Sequence, residues 1–193
     1  MPNLYTGTTT IKGNVERFRK WYIETLQNNS PLNVFAQTFA PLSSGEYSFS
    51  NACEEWGVKW DFEINIISGL DEEDEEFIFT FDSAWNSPYY LWKQLETKYD
   101  VIVEEHGYEE GNRFFYKYYN GKHIVKEIDL YDEWFLEKLN FIPSEEALKN
   151  EEIYDEELME YSYENMNNVF ENWHINVSEN EKEWEDVILP NIN

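Results

Sequence analysis

The residues that come closest to a catalytic pattern are Asp82 and the stretch Glu96-Thr97-Lys98. One acid followed by an acid-x-lysine can hold a divalent metal and a water beside a phosphate, as in metal-dependent nucleases. Such nucleases place the acid-x-lysine on a strand, whereas the pattern around Glu96 predicts a helix. The strong negative charge of the chain would also repel a nucleic-acid substrate. We therefore expect no nuclease chemistry from this set.

The other reactive side chains do not form a recognisable site either. His106, His123 and His174 lie in unrelated contexts, with no metal-ligand spacing and no triad with a serine or with Cys53. A glycine-rich phosphate loop is absent from the sequence. The sequence thus predicts a protein that is not an enzyme and that carries no metal or cofactor.

The run DEEDEE, from Asp71 to Glu76, is the densest group of charges in the chain. A calcium loop would need acids at alternate positions around a central glycine, and this run has no such glycine after Asp71. Two interpretations remain open, a solvated loop and a surface that binds a partner.

The stretch CEEWGVKWDFEINI, from Cys53 to Ile66, could be a ligand platform in which two indoles stack a ring and Lys59 supplies charge. The alternative is the start of a strand. Trp60 is in phase with Phe62, Ile64 and Ile66, so alternation predicts a core position for it. Trp56 would share that face, and Gly57 would permit a bend or bulge. We favour the structural interpretation.

The elements that must position these residues follow from periodicity and turn signals. Apolar stripes predict helices over 14–29 and 86–100, and Asn120-Gly121 predicts a two-residue hairpin turn. The predicted strands are 4–12, 58–66, 77–81, 101–105, 113–119 and 122–129. The segment 31–48 is expected to be irregular with a short strand. This order predicts an α+β fold, a ferredoxin-like split βαβ antiparallel sheet with two helices on one face, over residues 1–130.

Several finer expectations concern the two helices. In the first helix, the stripe is Val15, Phe18, Tyr22 and Leu26, with Asn14 as cap and with Glu16, Arg17, Arg19 and Lys20 clear of the stripe. In the second helix, the stripe is Leu91, Leu95 and Tyr99, with Ser87 as cap and Pro88 in the first helical position.

Residues 131–193 are predicted to form an acidic helical extension packed on the first domain. Met159, Tyr163, Met166, Phe170 and Trp173 recur at spacings of four and three, which predicts a buried helical stripe. Acids occupy the opposite side of this predicted helix.

Charge is distributed unevenly along the chain. The net charge is −26, made up of zero over residues 1–60, −11 over 61–130 and −15 over 131–193. Since 18% of the residues are aromatic, the chain has ample material for a core and is predicted to fold. A field of this sign repels nucleic acid and anionic membranes and attracts basic protein surfaces. The single cysteine, together with the absence of an evident signal peptide or membrane helix, favours a soluble protein in a reducing compartment.

Three segments together resemble the YubB-type ferredoxin-like domain of plasmids and phages: EWGVKWD (55–61), FTFDSAWNSPYYLWKQLETKYD (79–100) and YNGK (119–122). Trp56, Gly57, Lys59, Trp60 and Asp61 match the first motif of that family, and Trp85 and Pro88 match the second. The resemblance covers residues of about 4–130 and implies a fold and a mobile-element setting, but no catalytic residues. The C-terminal third is not placed by it.

Acids on several elements could together imitate nucleic acid. Glutamates one helical turn apart lie about 6 Å apart along the axis, whereas one DNA strand carries a phosphate about every 3.4 Å, so two or three rows would be needed. We predict a non-enzymatic phage or plasmid inhibitor, of the anti-CRISPR or anti-restriction kind, that occupies a basic nucleic-acid-binding protein in the host cytoplasm. The predicted partner-binding acids are Asp71, Glu72, Glu73, Asp74, Glu75, Glu76, Glu152, Asp155, Glu156, Glu160, Glu164 and Glu171.

Two alternatives to mimicry stay open. In the first, the protein is an adaptor or structural protein whose aromatic C-terminal helices dock a partner through Tyr163, Phe170 or Trp184. In the second, the acids only keep the protein soluble.

Overall fold

The computed structural model describes residues 4–28, 34–109, 114–127, 131 and 133–175. The chain divides into two compact units, one formed by residues 1–111 and 115–125 and the other by residues 112–114 and 126–193. The predictions for Trp184 and for the tail after residue 175 lie outside the described residues.

The fold is α+β, with a six-stranded antiparallel sheet in the order β2-β3-β1-β4-β5-β6. The strands are β1 (Leu4–Gly13), β2 (Ile64–Ser68), β3 (Glu76–Ala84), β4 (Val101–Glu109), β5 (Phe114–Tyr119) and β6 (Lys122–Glu127). β1 pairs with β3 on one side and with β4 on the other, so the first strand of the chain lies inside the sheet. The predicted hairpin is confirmed, since Asn120 and Gly121 have φ values of 43° and 80° between β5 and β6.

The helices are α1 (Glu16–Gln27), α2 (Phe35–Phe39), α3 (Phe49–Glu55), α4 (Tyr89–Tyr99), α5 (Glu133–Leu139) and α6 (Glu151–Ile175), with a 3₁₀ turn at Ala147–Lys149. One face of the sheet carries an aromatic core. On β3, Phe77 contacts Phe18 of α1, with ring centroids 6.2 Å apart, and Phe81 contacts Trp92 of α4 at 5.6 Å. The predicted α4 stripe of Leu91, Leu95 and Tyr99 is buried.

The expected first helix is present, but its buried face differs from the prediction. Arg19, predicted to lie clear of the stripe, is 5% exposed, whereas Leu26 is 51% exposed. Asn14 is not a cap, since Val15 precedes the first helical residue and no side chain caps this end. Burial of the Arg19 charge is tolerated because its guanidinium donates hydrogen bonds to the Gly69 and Asp74 carbonyls of the β2–β3 connection.

The segment 34–56 contains two short helices rather than the short strand predicted within 31–48. Phe35 and Phe39 of α2 are buried against each other with ring centroids 4.9 Å apart. Ser48 caps α3, because its hydroxyl accepts a hydrogen bond from the Asn51 N–H at 3.1 Å.

The prediction that Trp60 is a core residue was wrong. α3 continues to Glu55 and β2 begins only at Ile64, so Trp60 belongs to neither element and is 39% exposed. Trp56 is buried at the end of α3, where its Nε1–H donates to the Ala40 carbonyl at 2.8 Å. Gly57 follows with φ +87°, a left-handed conformation that commonly ends a helix. The alternation of buried and exposed side chains holds only within a strand, so it cannot be extended from β2 back to Trp60, which follows the end of a helix.

Ser87 is likewise not the cap of α4. Pro88 stands immediately before the first helical residue, and Ser87 is fully buried with its hydroxyl bonded to Glu105.

In the second unit, the buried side of α6 is shifted by one residue from the predicted stripe. Met159 is 60% exposed, so the prediction that it is buried was wrong, whereas Leu158, Ser162 and Val169 are buried. The helix packs against α5 and the 3₁₀ turn. The side chains of Tyr163, Met166, Phe170 and Trp173 lie outside the described part of the structure.

Candidate functional site

The acid run forms a structured turn between β2 and β3, which we call the acidic turn (residues 69–76). Its first residue must be glycine. Gly69 has φ +110°, and a Cβ at this position would lie 2.6 Å from the Phe77 Cα and 2.7 Å from the Glu76 carbonyl oxygen. No other residue can make this close approach without moving backbone atoms.

Arg19 of α1 supports the acidic turn from below. Its Nε donates to the Gly69 carbonyl at 2.9 Å, and its Nη2 donates to the Asp74 carbonyl at 2.8 Å. Its Nη1 forms a salt bridge with Glu16 at 3.0 Å. Because a buried guanidinium needs partners for its donors, this geometry fixes the turn and the first part of α1 together.

Asp74 closes the acidic turn from within. Its Oδ2 accepts the N–H of Gly69 at 3.0 Å and the N–H of Asp71 at 3.2 Å. This carboxylate therefore has a structural role, although its side chain also contributes charge. Glu76 lies at the start of β3 and pairs with Lys12 at 3.5 Å.

The remaining four acids of the run, Asp71, Glu72, Glu73 and Glu75, are exposed. In the described ranges, no lysine or arginine lies within salt-bridge distance of any of them. The turn and the start of α1 border an open cleft of about 720 Å³, whose two cationic residues, Lys12 and Arg19, are already bonded. The result is a compact group of four carboxylates without cationic partners.

The acids predicted on α6 divide into two groups. Glu152, Glu156 and Glu160 are exposed and form one row along the helix. Asp155 is half-buried and accepts the Tyr131 hydroxyl at 2.6 Å, so it is structural. The side chains of Glu164 and Glu171 lie outside the described part.

The two tryptophan-containing motifs come together on the surface of the first unit. The Lys59 ammonium lies over the Trp85 ring, and the Leu91 N–H donates to the Trp56 carbonyl at 3.3 Å. Asp61, the last residue of the first motif, accepts the N–H groups of Ala36 and Gln37 at the start of α2. Burial raises the pKa of Asp61 despite these hydrogen bonds.

The first unit contains a buried carboxyl that no sequence pattern predicted. Glu105 on β4 is fully buried and accepts hydrogen bonds from Tyr5 at 2.8 Å, from Ser87 at 2.5 Å and from the Trp92 indole at 2.6 Å. Burial raises the pKa of Glu105 to about 7, although the three hydrogen bonds lower it. Strand parity was a usable signal, because Glu105 shares the inward phase of Val101 and Val103.

The room for this network comes from a glycine. Gly107 lies beneath the Tyr5 side chain, and a Cβ there would overlap the Tyr5 hydroxyl and the Thr6 carbonyl. The Tyr5 ring can therefore cross β4 and reach Glu105.

The nuclease-like set is not assembled. Asp82 accepts the Thr6 hydroxyl at 2.7 Å on one face of the sheet, whereas its neighbour Phe81 packs against α4 on the other. Glu96 is on α4, where it accepts the Val103 N–H and the Tyr118 hydroxyl. Within the described ranges, no group of three or more histidine, cysteine, aspartate or glutamate side chains could hold a metal ion.

Comparisons with known proteins add no assignment, since no family model, curated protein or solved structure matches the chain. None of the helices in the described ranges has the length and apolar composition that crossing a bilayer requires.

Proposed function

We propose that this protein is a non-enzymatic inhibitor that occupies the nucleic-acid site of a basic host defence protein by presenting carboxylates in place of phosphates. The setting would be a phage or plasmid, and the targets would be of the CRISPR-effector or restriction-enzyme kind. We further propose that the first unit is a ferredoxin-like domain of the YubB type, followed by an acidic helical extension. The central position of β1 between β3 and β4, with α1 and α4 on one face, supports that finer assignment.

The observation that carries the function is the construction of the acidic turn. Neighbouring like charges repel, and each close pair costs tenths of a kcal/mol. A loop that served only solubility could spread these acids in solvent without further support. Here Gly69, Arg19 and Asp74 hold Asp71, Glu72, Glu73 and Glu75 in one ordered turn.

Spacing also favours the acidic turn over α6 as the main contact. The row of Glu152, Glu156 and Glu160 places carboxylates about 6 Å apart along the axis, sparser than the phosphates of one DNA strand at about 3.4 Å. The acidic turn supplies four exposed carboxylates within five consecutive residues. We propose that the acidic turn makes the densest contacts with the partner.

The test begins with the full-length protein immobilised on a resin and exposed to nuclease-treated bacterial lysate at low salt. Retained proteins are eluted with salt, identified, purified and tested for binding to duplex DNA. Mimicry predicts that the DNA and this protein exclude each other on the purified partner, and that affinity falls steeply with salt. A partner that binds both at once, or holds this protein in molar salt, would refute the proposal.

Matched variants locate the contact. Changing Glu72, Glu73 and Glu75 together to glutamine removes three charges from the acidic turn and keeps its supports. At about 0.2–1 kcal/mol for each of three ion pairs, affinity should fall by a factor of between about 3 and about 150. Changing Glu46, Glu63 and Glu137 to glutamine alters net charge equally at exposed sites elsewhere, so its effect should be clearly smaller.

The adaptor alternative is favoured by one observation on the second unit. Several apolar side chains there are exposed, including Ile142 at 81%, Leu148 at 69% and Met159 at 60%. If this surface docks the partner, changing Leu148 and Met159 to serine would abolish capture, and the glutamine variant of the acidic turn would still be captured.

A further inference from the structure

Exposed aromatic side chains lie around Gly57 and Lys59 on the first unit. We call Tyr47, Phe49, Trp85 and Tyr90 the aromatic patch; their exposed fractions range from 41% for Tyr90 to 60% for Tyr47. The Tyr47 hydroxyl donates to the Lys59 carbonyl at 2.7 Å, and the Lys59 Nζ lies 5.3 Å from the Phe49 ring centroid and over the Trp85 ring. Contiguous exposed aromatic surface of this kind commonly marks a binding site.

The backbone holds this arrangement through the approach of two chain segments. Gly57 has φ +87°, which favours glycine, and a Cβ there would lie 3.3 Å from the Tyr90 ring and 3.4 Å from the Ser87 carbonyl oxygen, so the two segments are close together at this residue. Trp85 has φ +71°, a conformation that bulky residues rarely adopt. Hydrogen bonds hold the next residue, Asn86, in place. The Ser83 hydroxyl donates to the Asn86 carbonyl at 2.6 Å, and the Ser87 N–H donates to Asn86 Oδ1 at 3.0 Å. Strained backbone at an exposed aromatic residue is typical of ligand-binding segments.

The chemistry of the patch is that of an aromatic cage for a cation. An ammonium or guanidinium group over a tryptophan face is attracted by the negative face of the ring. In this protein the Lys59 ammonium already occupies that position between Trp85 and Phe49. The occupant that fits is therefore positively charged, and a net charge of −26 draws cationic rather than anionic partners to the surface.

We propose that the aromatic patch binds an arginine or lysine side chain of the basic protein partner, and that Lys59 is an internal stand-in that must be displaced. This inference rests on the proposed function, which supplies a basic partner. Arginine is the better replacement, because its planar guanidinium stacks on an aromatic face more closely than an ammonium does. Ionic contacts at the acidic turn then set the association rate, whereas contacts at the patch slow dissociation and are screened less by salt.

If Lys59 competes with a bound cation, removing its charge should increase the affinity of the patch for a cation. The full-length protein is titrated with tetramethylammonium chloride, exchanged against sodium chloride at constant ionic strength, and the Trp85 indole N–H signal is followed by NMR. Lys59→Gln should bind the probe about two- to fivefold more tightly than the wild type, because the competing internal cation is gone. Lys20→Gln removes one positive charge from α1, where Lys20 pairs with Glu24 at 3.9 Å, and should leave the affinity within error. If Lys59→Gln binds no more tightly than Lys20→Gln, the proposal is wrong.

A second pair of variants tests the cage itself. Trp85→Gly suits the positive φ and should abolish saturable binding of the probe, followed in this variant at the other indole signals. Phe49→Ser, at a position 53% exposed, should weaken it and serves if the glycine variant does not fold. Undiminished probe binding by either folded variant would overturn the inference.

The two proposals fail separately. Loss of partner binding in the glutamine variant of the acidic turn, with full partner binding by Trp85→Gly, would leave the proposed function standing and refute the role of the patch. Saturable probe binding that depends on Trp85, with no effect of acidic-turn variants on partner binding, would leave the patch as a cation site and refute the proposed function.

Discussion

The sharpest prediction concerns the proton on Glu105, which can be measured without knowing the partner. Burial raises the pKa of this carboxyl from about 4.5 to about 7 in the folded protein. Between these values the folded state keeps a proton that the unfolded chain has released, so stability falls as pH rises. The stabilisation is complete below about pH 4.5 and is lost as pH rises through about 7. Its full size is about 3 kcal/mol, since each pH unit is worth about 1.4 kcal/mol.

Glu105→Gln tests this because glutamine imitates the protonated acid. Its carbonyl oxygen can accept from Ser87 and Trp92, which share Oε2 in the wild type, and its amide can donate to the Tyr5 oxygen. We expect the wild type to lose about 2–3 kcal/mol relative to Glu105→Gln between about pH 5 and pH 8. The measurement is urea unfolding followed by tryptophan fluorescence at several pH values.

The comparison cancels the titration of groups that both proteins share. Glu104→Gln is the matched control, because Glu104 is one residue away, partly exposed to solvent and paired with Lys12 at 3.0 Å. It should shift stability without a pH-dependent difference of this size. Parallel curves for the wild type and Glu105→Gln would refute the reasoning.

Three further predictions follow from single contacts. Arg19→Met keeps the apolar stem but leaves the Gly69 and Asp74 carbonyls without their donor, so the free energy of unfolding should fall by about 1–3 kcal/mol. The Gly69 and Asp71 amides should also exchange faster with solvent in hydrogen-exchange NMR. Unchanged exchange would contradict the role of Arg19 in supporting the turn. Gly69→Ala should cost at least about 2 kcal/mol in urea unfolding, whereas Gly45→Ala, where φ is +70° but nothing lies within 4 Å, should cost about 1 kcal/mol; equal losses would count against the close approach. Trp56→Phe should lower the free energy of unfolding by about 1–3 kcal/mol because it removes the buried hydrogen bond to Ala40. Trp60→Phe should change the free energy of unfolding by less than about 0.5 kcal/mol, and a larger loss for Trp60→Phe than for Trp56→Phe would indicate that Trp60 is a core residue.

Regular elements of this fold are readable from local patterns. Leu91, Leu95 and Tyr99 lie on the buried face of α4, and Asn120-Gly121 forms the predicted hairpin turn, because each depends on residues within one turn or one hairpin. The failures are tertiary in origin. Trp60 shares the parity of β2 but lies beyond a helix end, and Met159 is one residue away from the face that α6 buries.

The candidate site is predictable only in part. The acid run is evident from composition, but its ordering depends on Arg19 and Gly69, whose roles no local pattern reveals. Charged side chains are expected at the surface, so buried Arg19 and Glu105 run against the general rule. The meeting of Lys59 with Trp85 depends on the approach of Gly57 to α4, which neither motif encodes by itself.

The support of the acidic turn by Arg19 has a consequence for folding. The arginine precedes Gly69 by 50 residues and the Asp74 carbonyl by 55, so the turn depends on contacts of long sequence separation. In the unfolded chain the six adjacent acids repel one another, and their ordered pattern requires Arg19 of α1 to be in contact with the turn. A partner that recognises this pattern would therefore distinguish folded from newly synthesised chains of the same net charge. Destabilised variants would lose binding in proportion to the fraction of molecules in which the contact between Arg19 and the turn is not formed.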